Sequence, residues 1–259
     1  MKPRNRKLPS LAARWAAKGA LLWSSLACDA GTSPPAATPP AKSTVHLRGH
    51  AYSFSTPDAL VGAEIRVVEL PGLVTKTGKD GGYELAIDVT AGGQEVTPYI
   101  VAADYHTIHL QTFVLAKGDK NLELVNFQTP SEVIYGVLSQ VVGVDPKGTG
   151  CHVVTTISEI AIQSKTFLEF TKHGPHGIAD ITAQTSPPLP PPIYFNESVI
   201  PDAKLTKSSR DGGVLWTNVP PGRYQVSASH PARKFDTFIA VCAPGRIVNA
   251  NPPWGLREL

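Results

Sequence analysis

The stretch Arg210-Asp211-Gly212-Gly213-Val214-Leu215-Trp216-Thr217-Asn218-Val219-Pro220-Pro221-Gly222-Arg223-Tyr224-Gln225-Val226 decides the fold class. It reads as turn, strand, tight turn, strand. Asp-Gly is a strong hairpin signal, because a type I′ turn needs positive φ at both central residues. An apolar run follows, Pro-Pro-Gly reverses the chain, and Tyr224, Val226 and Ala228 return in alternation. The same device stands earlier as Lys79-Asp80-Gly81-Gly82-Tyr83-Glu84-Leu85-Ala86-Ile87. Two copies of one β-module are therefore expected.

Around the earlier copy the hydrophobic period is two. Val45, Leu47 and Ala51 start a strand, Glu64-Ile65-Arg66-Val67 a second, and Leu73–Lys76 leads into the turn. Tyr83, Leu85, Ile87 and Val89 then face one way, with Glu84, Ala86 and Asp88 the other, which describes a sheet with one wet face. Further strands read at Tyr99–Asp104, His106–Leu115 and Asn121–Phe127. About seven short strands with turn signals between them predict a sandwich over residues 44–128. Around the later copy, Cys151, Val153, Thr155 and Ile157 share a face, as do Ala179, Ile181 and Ala183. With Ile193-Tyr194-Phe195, Phe235–Cys242 and Arg246-Ile247-Val248 they predict a second sandwich over residues 150–259.

Residues 129–149 read as a helical linker. Thr129 is placed to cap a helix, Pro130 suits its first position, and Glu132 completes a capping box. Ile134, Val137, Leu138 and Val141 follow at helical spacing, and Gly143 closes the end. The expectation is a helix at 130–142 plugging the junction. The fold class is thus all-β, two tandem seven-stranded Ig-like or prealbumin-like β-sandwiches joined by a short helix. The 22 glycines and 24 prolines agree with a turn-rich β protein. A length of 259 residues holds two such domains of about 100 residues and a leader.

The net charge of +3 hides an asymmetry. Six of the 24 basic residues lie in the first eighteen positions, and no acidic residue precedes Asp29. Without that leader 18 basic face 21 acidic residues, a net of −3. Such a chain has no electrostatic footprint for nucleic acid. Residues 1–28 run from a basic stretch through Ala20-Leu21-Leu22-Trp23-Ser24-Ser25-Leu26-Ala27 to Cys28, the layout of a secretory signal. The apolar run is far shorter than the about 20 residues of a spanning helix. Residues 29–43, rich in Pro, Ala, Ser and Thr, form a solvated tether.

Three resemblances follow from these residues. Ala27-Cys28 resembles the lipobox of bacterial lipoproteins, although the usual Leu three places before the cysteine is Ser25 here and Leu26 comes one place late. The resemblance implies a lipid on Cys28 and attachment to a membrane; the other reading is cleavage after Ala30, which discards Cys28. Leu60-Val61-Gly62-Ala63-Glu64-Ile65-Arg66-Val67 with Thr75-Lys76-Thr77-Gly78-Lys79-Asp80-Gly81-Gly82-Tyr83 resembles the carboxypeptidase regulatory-like domain. That implies a transthyretin-like sandwich, usually non-catalytic, over about the first module. Asp211-Gly212-Gly213 with Val219-Pro220-Pro221-Gly222-Arg223-Tyr224 is similar to the prealbumin-like modules of surface adhesins and lipoproteins.

Chemistry-bearing patterns are sparse. His106-Thr-Ile-His109 and His173-Gly-Pro-His176 have His-x-x-His spacing. Residues three apart on a strand face opposite sides, so only the second pair, in a Gly-Pro loop, is free to converge. No Cys or acidic cluster of zinc spacing accompanies either pair, so no metal or cofactor is expected. Intradiol dioxygenases share the prealbumin-like fold, but their His-x-His pair is missing after Tyr224, where only His230 follows. No Gly-x-Ser-x-Gly elbow is present. No catalytic residue is assigned. Tyr194, Trp216 and Trp254 are candidates for a sugar-stacking platform; core packing is the other reading of Trp216, and packing of the C-terminal tail that of Trp254. With Cys28 given to the lipid, Cys151 and Cys242 form an even pair in an exported chain, which predicts a disulfide; two reduced core thiols are the alternative. The expected role is non-enzymatic: a structural, adhesive or protein-interaction module of the cell envelope, with the membrane and another envelope protein as partners. A carbohydrate-binding module whose partner is a glycan is the alternative.

Overall fold

The computed structural model describes residues 43–54 and 56–259; the leader, Cys28 and the tether up to residue 42 lie outside them. The first half contains β1 (Ser43–Ser53), β2 (Glu64–Val67), β3 (Leu70–Lys76), β4 (Gly82–Val89), β5 (Gln94–Val96), β6 (Pro98–Val101), β7 (Ile108–His109), β8 (Phe113–Leu115) and β9 (Phe127–Thr129). After helix α1 (Glu132–Val141) come β10 (Cys151–Ser158), a 3-10 turn at Ile160–Ser164 and helix α2 (Phe167–Lys172). The chain continues through β11 (Thr182–Ser186), β12 (Ile193–Phe195), β13 (Pro201–Asp202), β14 (Gly213–Val219), β15 (Gly222–Ser229), β16 (Phe238–Cys242), β17 (Ile247–Ala250) and β18 (Leu256–Arg257). The protein is all-β.

Each half is organised about its first strand. β1 pairs antiparallel with β4 over eight residues and parallel with β9. β10 pairs antiparallel with β14, and parallel with β17 and β18. The two Asp-Gly-Gly turns occupy matching places in this plan. Asp80 Oδ1 accepts from the Gly82 N–H at 2.9 Å, and Asp211 Oδ2 accepts from the Gly213 N–H at 3.1 Å. Gly81 and Gly212 take φ of +79° and +77°, which only glycine adopts at little cost. Their carbonyls accept from Ala51 and Ile157, each at 2.9 Å. The two halves thus repeat one plan of strand pairing.

The turns are not hairpins. β3 and β4 are in different sheets, as are β14 and β15; β13 and β14 are separated by β12. Only the second of the two expected positive φ values is present at each Asp-Gly. Pro220 and Pro221 have no N–H to donate, so the chain leaves the sheet after β14 rather than folding back beside it. Val214 and Trp216 then face Tyr224 and Val226 across a core instead of along a ladder.

Two cores result. One gathers the inward faces of β1, β2, β4 and β6 with Phe113, Phe127 and, from the far end of the chain, Ile247. The other gathers Val153, Ile157, Tyr194, Val214, Trp216, Tyr224, Phe238 and Leu256. The strands do not divide seven and seven. A ten-stranded sheet, in the order β13-β12-β14-β10-β17-β7-β6-β2-β3, runs through both halves, with β18 beside β10. Smaller sheets are β4-β1-β9, β11-β15-β16 and β5-β8. The seam is the parallel bridge between Val248 of β17 and His109 of β7. The strand expected at Asn121–Phe127 is reduced to its end, because Leu124 takes φ +55° and breaks the extended run.

α1 begins two residues later than the expected box. Ser131 is the N-cap, its side chain accepting from the Ile134 N–H, and Thr129 instead ends β9. Gly143 closes the helix with φ +68°. Val133, Val137 and Val141 of α1 face solvent, and of its side chains only Ser139 is buried. The disulfide is present. Cys151 and Cys242, 91 residues apart, have Cα atoms 5.6 Å apart and join β10 to β16 across the second core.

Candidate functional site

The long sheet has two faces at its centre. Val153, Val214, Trp216 and Val248 point into the second core. The alternate residues point away from it and floor a groove of about 470 Å³. Register places Val154 beside Leu215 on one side and Asn249 on the other, and Thr156 beside Gly213. That three-apolar run, Val214-Leu215-Trp216, is therefore covered on both sides, as continuous apolar strands are. Phe195 of β12 extends the floor, and the residue that follows Leu215 on the same face is Thr217.

The walls come from helices and loops. Tyr135 and Leu138 of α1, with Val142 at its C-cap, form one; Tyr52 of β1 and Phe54 just after it, with Phe170 of α2, form the other. α1 is fixed to the first module at its N-terminus. Glu132 N–H donates to the Asp104 carbonyl at 3.0 Å, and His106 stacks on Tyr135 with centroids 3.7 Å apart. α2 is set by a capping box, Thr166 with Glu169, and its buried Phe170 packs with Tyr52 and Ile162.

The polar end of the groove is built by two glycines. A Cβ on Gly212 would lie 2.6 Å from Gly177 Cα, and one on Gly177 would lie 2.2 Å from the Asp211 carbonyl. Their absence lets the segment after His176 lie against the Asp-Gly-Gly turn, which brings His176 beside Asp211. His176 lies flat on Phe170, at 4.6 Å and 2°, and its Nε2 is 3.1 Å from the Phe170 carbonyl oxygen. Burial pushes Asp211 up, opposed by its bond from Gly213 and by His176. Burial pushes His176 and His152 down, so both imidazoles are neutral near neutral pH. Among the described residues no Lys or Arg lines the groove, and Asp211 is its one carboxylate.

Internal comparison shows what is particular to this face. Gly82 pairs with His50 in the first module as Gly213 pairs with Thr156 in the second. Two residues further along, Arg48 pairs with Glu84, and Val154 with Leu215. The first module thus carries an exposed ion pair there, Arg48 Nε to Glu84 Oε2 at 2.7 Å, extended to Glu123 at 3.0 Å. The second carries an apolar pair at the same positions.

The expected sugar platform is not assembled. Tyr194 and Trp216 are 3% and 4% exposed in the second core, where the Tyr194 hydroxyl accepts from the Ala183 N–H at 2.9 Å. A buried ring offers no face to a sugar. Trp254 packs edge-on against Phe113 at 5.2 Å, donates from Nε1 to the Glu123 carbonyl at 2.9 Å, and has the Arg257 guanidinium 4.7 Å over its ring. It ties the C-terminal tail to the first core. None of the three lines the groove. His173 and His176 do converge, with centroids 6.0 Å apart, but among the described residues no three His, Cys, Asp or Glu side chains gather as a metal site. His106 and His109 diverge, onto Tyr135 and Tyr99.

No protein-family model matches the chain, and no curated protein is significantly similar to it. Among solved structures, the Bacillus anthracis TIE protein is similar at 11% identity and a TM-score of 0.26, over 83% of this chain. The match spans 34% of the length of that structure. The shaft pilin SpaA from Lactobacillus rhamnosus GG is similar at 8% identity and a TM-score of 0.25, over 83% of this chain and 97% of the pilin. A cohesin–X-dockerin complex from Acetivibrio cellulolyticus matches 50% of this chain and 86% of that one, at 12% identity and a TM-score of 0.27. Likenesses this distant assign neither fold family nor activity.

Proposed function

We propose that the protein is a non-enzymatic, exported binding protein of the cell envelope that presents the groove to another envelope protein. In this reading residues 1–28 are a lipoprotein signal and Cys28 carries the lipid. Residues 29–43 are the tether, 44–128 a carboxypeptidase regulatory-like module, 129–149 the linker with α1, and 150–259 a prealbumin-like module. The observation that carries it is the exchange of Arg48–Glu84 for Val154–Leu215 at matching ladder positions. A face that needs only to meet water keeps the ion pair. A face that meets a partner gains from an apolar pair, at about 25 cal/mol for each Å² buried, and with Leu215 only 7% exposed that gain falls on the half-buried Val154. The groove's volume falls in the usual range of about 300–1,000 Å³ for binding pockets.

The position of the groove supports the same reading. Ser43 begins β1, and Tyr52 at the other end of that strand lines the groove. Nine residues of strand rise roughly 30 Å. The groove therefore lies at the end of β1 remote from Ser43, where the described chain begins. The glycan alternative loses its platform with the burial of Tyr194 and Trp216.

Site-specific photo-crosslinking in the exporting cell tests the proposal. A crosslinker at Val144, on the groove, is expected to capture a discrete protein partner. One at exposed Val61, on the first module, is expected to capture none. Equal capture at both positions, or none at Val144, overturns it.

A further inference from the structure

The groove's chemistry says more about its occupant, provided the reading above holds. Among the described residues the lining pairs a large apolar area with one carboxylate and no cationic side chain, and burial pushes both lining imidazoles, His152 and His176, toward the neutral form. An anionic occupant would sit beside Asp211 with nothing to balance it. A cation would find Asp211 without an ion-pair partner among the described residues, with the Phe195 ring close by. Both the Asp211 Oδ2 atom and that ring sit where a Cβ on Gly213 would lie, at 2.6 and 2.7 Å from it. A cation held at a carboxylate beside an aromatic ring gains from both.

The exposed part of the lining argues for a polypeptide over a small amine. Val199, on the loop after β12, lines the groove and is 47% exposed, and Ile200 beside it is 49% exposed. A small amine seated at Asp211 leaves both in water. A length of partner chain leaving the groove over this loop covers them. We infer that the groove takes an apolar segment of another protein carrying one lysine or arginine, with that cation seated against Asp211.

The test is a set of apolar heptapeptides that differ at one position, Lys, norleucine or Glu, titrated calorimetrically into the purified full chain. The lysine peptide is expected to bind about tenfold more tightly than the norleucine peptide, and the glutamate peptide more weakly than both. Asp211→Asn keeps an oxygen to accept from the Gly213 N–H, so the turn is retained. In that variant the lysine and norleucine peptides are expected to bind alike. Leu215→Arg, which places a cation on the floor, is expected to abolish binding of the norleucine peptide; a circular dichroism melt checks its fold. If lysine and norleucine peptides bind the native chain equally, the role of Asp211 is wrong while the groove stands. If no heptapeptide binds, or the folded Leu215→Arg variant binds as the native chain does, the groove is not the interaction surface. Octylamine binding as tightly as the lysine peptide would overturn the assignment to a polypeptide.

Discussion

Acid is expected to open the seam between the two halves through His109. This residue belongs to β7 and pairs with Val248 of β17, the bridge that makes the long sheet continuous. Its ring stacks on Tyr99 at 5.1 Å, and its Nδ1 is buried with no hydrogen-bond partner among the described residues. Burial pushes its pKa down to about 3; nearby Arg246 acts in the same direction, and a hydrogen bond with the Ile247 backbone opposes both. The unfolded chain takes up the proton near the ordinary value of 6.5, well before the folded chain does. Stability is therefore lost as pH falls from about 6.5 to about 3, and His109 causes no further loss below that. At 1.36 kcal/mol per pH unit the full loss amounts to at most about 5 kcal/mol, a large share of the stability of a typical domain. His109→Gln removes the titration but keeps a polar side chain. Urea unfolding of both proteins at pH 7, 5 and 3.5 isolates the effect, since His50, His152 and His176, all pushed down by burial, contribute equally to each. The variant should lose several kcal/mol less than the native chain across that range. Parallel pH profiles would refute the assignment.

Three further outcomes are expected. Reducing the Cys151–Cys242 bridge removes the closure of a 91-residue span, worth about 4–5 kcal/mol by loop entropy, so Tm should fall clearly on adding reductant; an unchanged Tm sinks this. Gly81→Ala and Gly212→Ala should each cost more than about 2 kcal/mol. Both sites have positive φ, and the new Cβ would sit 2.4 Å from the Ala51 carbonyl or 2.6 Å from that of Ile157. Gly118→Ala, with positive φ but open space, should cost only about 1 kcal/mol, and equal losses at all three would discredit the close-approach argument. Intact mass spectrometry of the exported protein should find Cys28 as the lipid-bearing N-terminus; a mature chain starting beyond it, or an unmodified thiol, rules out the anchor.

What the sequence made legible was local. Alternation at Tyr83, Leu85, Ile87 and Val89 matched their burial, and the apolar face of Cys151, Val153 and Ile157 is the one that meets the second core. The Asp-Gly-Gly turns are legible in the sequence, but their consequence is not. Whether a turn returns a strand to its neighbour or sends it to another sheet depends on which strands lie across the core, and no local residue records that. Val214-Leu215-Trp216 did carry a usable signal, since a run without alternation means both faces are covered. The α2 capping box was equally readable as Thr166-Phe-Leu-Glu169, but the helix is too short to show a hydrophobic period. Asp211 and His176, separated by a long stretch of chain, meet only because Gly177 and Gly212 permit a close backbone crossing. Spacing rules see neither.

The eight-residue ladder between β1 and β4 has a mechanical consequence. A protein that grips a partner at one end of β1 while anchored through the other is loaded along that strand. Tension in this direction acts parallel to the strand axis, across the ladder hydrogen bonds, so all of them resist together. Pulled from the side, the same bonds would break in succession. β9 holds the other edge of β1 near Tyr52, so under the proposed anchoring and binding the strand would act as a tie rod. The attachment is then expected to yield at the groove before the fold itself is torn open.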